Sequence, residues 1–168
     1  MTARNLVYAL VSVVFAVWMA FGRVLFGIDG ELMWWYALLI ALPYLILLLW
    51  ALRRIVVAES RGRPIKRAVY ITTVLSWVCA LGFGFTVPDV VDGKLLSILG
   101  HVGGELWNEL SIALCNPLGI IALTLASAAF GFAIGSGRKP RLSEDDLLDA
   151  AEAAGIEPGM VEHPLTRG

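Results

Sequence analysis

His101, Glu105 and Glu109 recur at four-residue intervals, a spacing that puts an imidazole and two carboxylates on one side of a helix, where they could hold a metal ion or relay a proton. Nothing nearby completes a cation cage, so the three read instead as the wetted face of a surface helix. Arg23 is the one ionisable residue inside an apolar run, and a charge in that setting either lines a pathway or serves as an anchor. The stretch Val24 to Ile28 is all that separates it from Asp29. Its long side chain is therefore expected to snorkel to the outer interface or to pair with Asp29 or Glu31. Asn116 places a further polar group in an apolar run.

Other chemistry finds no support. The chain has no Walker loop, no G-x-S-x-G and no H-E-x-x-H. Asp89 and Asp92 follow Pro88 closely, and two acids after a proline read as solvated turn chemistry. Cys79 and Cys115 lie in apolar runs without C-x-x-C spacing and read as small packing residues. No catalytic residue, metal or cofactor is assigned.

The elements that must carry these residues are helices built for lipid. Of 168 residues 58% are apolar and 16% charged, far below the roughly 25% charged of a soluble domain. Four apolar segments, near 6–28, 32–53, 68–87 and 111–136, are separated by short polar stretches. At about 1.5 Å per residue, twenty residues match a hydrocarbon core of about 30 Å, and a helix satisfies its own backbone where water is absent. The expected fold class is all-α: a polytopic four-transmembrane-helix bundle over 1–137, followed by a cytoplasmic tail over 138–168. The first segment runs past Arg23 to Phe26, longer than the apolar region of a signal peptide, and is read as a retained helix. Pro43 in the second segment and Asn116-Pro117 in the fourth are expected to kink or delay their helices.

Basic residues in short loops stay on the cytoplasmic side. Arg53, Arg54, Arg61, Arg63, Lys66 and Arg67 lie between the second and third segments, and Arg138, Lys139 and Arg141 follow the fourth. The opposite loops are acidic, so the sequence predicts a plasma (inner) membrane protein with both termini cytoplasmic. The basic loop is first a determinant of that topology, although it could also draw anionic lipid. Nucleic-acid binding is not expected, because no folded basic domain or aromatic platform accompanies these charges.

Two further helices are predicted outside the spans. Leu95, Ile98, Leu99, Val102, Leu106 and Leu110 recur at helical spacing, which predicts an outer interfacial helix over 94–110. In the tail, Ser143 can cap a short helix over 143–154. Leu147, Leu148 and Ala151 gather on one side of it as a surface for partner docking.

Small residues at four-residue spacing let transmembrane backbones approach closely. Ser12, Ala16 and Ala20 form one such stripe, Ser127, Gly131 and Gly135 another, and Ala80 with Gly84 a shorter one. They are expected to pack helices within the bundle or against a second chain. With close-packing stripes but no embedded set of acids and bases, the expected function is that of a non-catalytic accessory or scaffold subunit of a plasma-membrane assembly. Its partners would be the bilayer and another membrane protein or a second copy. The alternatives are a small oligomeric transporter or channel drawing on Arg23 and Asn116, and an outer-surface enzyme using His101 and Glu105.

Overall fold

The structure is a computed structural model describing residues 3–28, 30–91 and 93–137. The tail helix expected over 143–154, with Leu147, Leu148 and Ala151, lies outside the described residues. Four helices are long and apolar enough to cross a membrane. Helix α1 (Ala3–Phe21) tightens into a 3-10 turn over Gly22–Phe26. Helix α2 (Met33–Ser60) follows, then α3 (Arg67–Thr86). A hairpin of β1 (Asp89–Val91) and β2 (Lys94–Leu96) leads to the short α4 (Ile98–Gly103) and the long α5 (Glu105–Ser136). Helix α5 packs mainly on α3 and also on α2, and α1 contacts the same two helices.

Pro43 leaves its mark in α2 as a change of winding. Ala37–Ala41 form a π turn, in which the Leu42 N–H donates to the Ala37 carbonyl five residues back. Such a bulge re-registers the ladder just before a residue that has no N–H to give. Pro117, in contrast, lies within α5 and does not end it.

The segment 94–110 departs from the single interfacial helix that its periodicity suggests. Val90 pairs with Leu95, Asp89 with Leu96 and Val91 with Lys94 in an antiparallel hairpin. Ser97 caps α4 by accepting from the Gly100 N–H at 2.9 Å. Gly104 then takes φ +86, a conformation that strains any residue with a Cβ, and separates α4 from α5. Helix α5 accordingly begins at Glu105, earlier than the expected 111. Apolar spacing alone cannot distinguish one helix from a strand and two helical pieces when glycines supply the breaks.

The core is made by small and aromatic residues together. Tyr44, Leu48, Ala51, Ile55, Val69 and Ala80 are fully buried beside Ala122, Ala126, Ala129 and Ala133. The alanines sit at positions that alternate by three and four along α5, so one narrow face meets α3 and α2. Several hydroxyls inside the bundle find partners there, while the Tyr70 hydroxyl is buried without one among the described residues. Ser76 Oγ donates to the Ala122 carbonyl at 3.0 Å and pairs with the Tyr44 hydroxyl at 3.1 Å, and Tyr8 Oη meets Thr73 Oγ1 at 3.1 Å.

Candidate functional site

Arg23 is 1% exposed and Asp89 is 0% exposed, the only buried charged side chains among the described residues. The turn after α1 brings Arg23 inward, with its carbonyl accepting from the Ile28 N–H at 3.2 Å. Pro88 ends the stretch after α3 and delivers Asp89 at the start of β1. Arg23 Nη1 lies 3.4 Å from Asp89 Oδ2 and donates to the Pro88 carbonyl at 3.1 Å. Its Nη2 donates to the Ala20 carbonyl at 3.3 Å. The guanidinium also stands 4.7 Å from the centre of the Tyr36 ring, within cation–π range.

Asp89 is engaged through one oxygen, its Oδ2 having only the Arg23 contact among the described residues. Its Oδ1 accepts from the Leu32 N–H at 3.0 Å and from the Val90 N–H at 2.8 Å. A Cβ at Gly30 would overlap the carboxylate, so the segment before α2 comes this close because residue 30 is glycine. One ion pair therefore ties the end of α1, the start of α2 and the hairpin. The sequence reading placed Arg23 at the interface with Asp29 or Glu31 and put Asp89 in solvent. Asp29 lies outside the described residues, and the rest is corrected: Arg23 is enclosed by carbonyls and an aromatic ring, and its carboxylate partner among the described residues is Asp89, which Pro88 directs into the bundle. In the sequence Arg23 belongs to the first apolar run and Asp89 follows the third, and no local signal joins residues 66 positions apart.

At the opposite end of the bundle Arg4 pairs with Glu59, whose other oxygen accepts from Asn5 Nδ2 at 3.0 Å. Arg4 also lies 5.5 Å from the Tyr70 ring centre. These contacts join the first turn of α1 to the last turn of α2 and the first of α3.

His101, Glu105 and Glu109 are exposed, but they do not share one helix. His101 belongs to α4, and the Gly104 break places Glu105 and Glu109 on α5. Among the described residues no three His, Cys, Asp or Glu side chains come together as a metal site. The contact that organises this region is Asn108. Its Oδ1 accepts from the Ser97 N–H at 2.9 Å while its Nδ2 donates to the Leu95 carbonyl at 2.8 Å, pinning the hairpin to α5.

The small-residue stripes fall on different surfaces. Ser12, Ala16 and Ala20 are buried in the bundle, as are Ala80 and Gly84, and Gly84 lies directly under the Trp18 indole. Ser127 and Gly131 are exposed, and a Cβ at Gly131 or Gly135 would meet nothing within 4 Å. Along α5, Asn116, Ile120, Thr124, Ser127, Gly131 and Gly135 fall within an arc of roughly 100°, opposite the buried alanines. Asn116 is exposed there, and its only hydrogen bond among the described residues is the one its Oδ1 accepts from Cys115 Sγ at 3.8 Å. Arg23 and Asn116 are not brought into one path: the first is enclosed and the second points outward. Compared with known protein families, curated proteins and solved structures, the chain finds no match.

Proposed function

We propose that the chain is a non-catalytic accessory or scaffold subunit of a plasma-membrane protein assembly, and that the outward face of α5 is where it engages a partner helix. The observation that carries this reading is the combination, on one exposed face, of two glycines with open space above them and an amide whose Nδ2 makes no hydrogen bond within the described residues. In lipid, small residues allow close backbone approach and a side-chain amide gains a partner across the interface. The buried pair of Arg23 and Asp89 supports the same reading, since the hydrogen bonds it makes hold the chain's own segments together. The basic loop and both termini are taken to face the cytoplasm.

Copurification in mild detergent tests the proposal. A discrete set of other membrane proteins, captured with the wild-type chain and lost when Gly131 is enlarged, supports it. A pure homo-oligomer that passes solute in liposomes replaces it with the transporter reading.

A further inference from the structure

Trp50, the pair Arg53 and Arg54, Val57 and the cap residue Arg61 follow one another at three- or four-residue spacing through the end of α2, so they share one face of that helix. Together with Phe130 of α5 they line a cavity of about 500 Å³. Trp50 and Phe130 close its apolar side with ring centres 5.9 Å apart. The three arginines are exposed at its polar side. Arg4 and Arg23 each have a carboxylate partner, whereas Arg53, Arg54 and Arg61 form no ion pair among the described residues. Three guanidinium groups beside two aromatic rings make an amphipathic recess: charge at the polar end of an apolar span, and rings on its hydrocarbon side.

We propose that this recess binds the phosphate headgroup of an anionic phospholipid, with the arginines holding the phosphate and Trp50 and Phe130 lying along the upper acyl chain. Guanidinium forks match phosphate oxygens in geometry and charge. A soluble phosphate ester shares the headgroup chemistry but would leave the aromatic wall unused, which is why lipid is the favoured source. The inference rests on the chain spanning a membrane. Failure of that premise is recognised separately, as release of the protein from membranes by an alkaline carbonate wash.

The full chain, purified in detergent with mixed phosphatidylcholine and phosphatidylglycerol, is analysed for retained lipid by native mass spectrometry. Wild type is expected to retain phosphatidylglycerol selectively. Replacing all three arginines with glutamine (R53Q, R54Q and R61Q together) should weaken retention on the order of a hundredfold, taking each nearby arginine at its typical contribution. The pair Arg63→Gln and Arg67→Gln removes charge from the same loop but not from the cavity, and should retain lipid as wild type does. Equal loss in both variants would overturn the site in favour of diffuse attraction. Displacement of the lipid by millimolar inorganic phosphate would overturn the lipid assignment and point to a soluble phosphate ester. Unchanged thermal unfolding in neutral detergent confirms that the triple variant is folded, and the single variant Arg54→Gln, with a smaller loss, provides an independent reading.

Discussion

The Arg23 guanidinium stands 3.4 Å from the Asp89 carboxylate with both side chains excluded from solvent, so that one ion pair joins the end of α1 to the first strand. Burying two charges is costly, and their attraction offsets that cost only when the remaining donors and acceptors are also satisfied. Here the Ala20 and Pro88 carbonyls serve the guanidinium and the Leu32 and Val90 amides serve Asp89 Oδ1, while Oδ2 has, among the described residues, the guanidinium alone, at 3.4 Å. Removing one charge strands the other. Asp89→Asn or Arg23→Gln is therefore expected to destabilise the protein by about 3–5 kcal/mol, whereas replacing both with apolar residues should cost less than the sum of the single changes. Unfolding of all three variants in the same detergent measures the coupling, and strictly additive losses would remove the pair from its structural role.

Asn108 makes a second, cheaper link. Its amide bridges the Ser97 N–H and the Leu95 carbonyl. Asn108→Ala leaves these groups without their partner and should cost about 1–3 kcal/mol. The effect should be local. Hydrogen exchange is expected to rise over 94–100 while α3 stays protected, and a uniform rise would show that the hairpin is integral to the bundle.

How far the sequence discloses this architecture depends on the range of each interaction. The four long helices are legible because twenty apolar residues in a row satisfy a local rule that needs no partner. The hairpin had a local signal too, in Asp92-Gly93 between Val90-Val91 and Leu95-Leu96, the residue type that favours a two-residue turn. It competes with a helical spacing of the same leucines, and the glycines at 100, 103 and 104 decide the outcome. The Arg23–Asp89 pair was beyond reach for a different reason. Whether an aspartate after a proline turns inward depends on what waits inside, and here that is a guanidinium from a distant helix. Stripe phase was misleading as well: α5 carries small residues on two opposite faces, and only packing shows that the alanines, rather than Ser127, Gly131 and Gly135, meet α3.

Orientation is checked by reporter fusions. The six basic residues from Arg53 to Arg67, at the end of α2, in the connecting loop and at the start of α3, predict that this region and both termini are retained in the cytoplasm. Alkaline phosphatase fused after Gly168 should be inactive, and fused near Gly93 it should be active. The reverse pattern would invert the topology and move the arginine-lined recess to the other side of the membrane.

The two glycine environments give the sharpest separation between folding and assembly. Gly84 is buried, and a Cβ there would overlap the Trp18 indole, whose Nε1 donates to the Leu81 carbonyl at 3.1 Å. Gly84→Leu must displace that ring and is expected to destabilise the chain by roughly 1–3 kcal/mol or more, the cost of overpacking a filled core. Gly131 faces open space, and a Cβ there would have no described atom within 4 Å. Gly131→Leu should therefore leave thermal unfolding within about 0.5 kcal/mol of wild type, as for a surface position. In native membranes the same variant should lose its copurifying partners, because a leucine holds a second helix away from the backbone of α5. Retention of every partner by a folded Gly131→Leu variant would remove the α5 face from the proposed assembly and leave the contacts of the chain to be sought elsewhere.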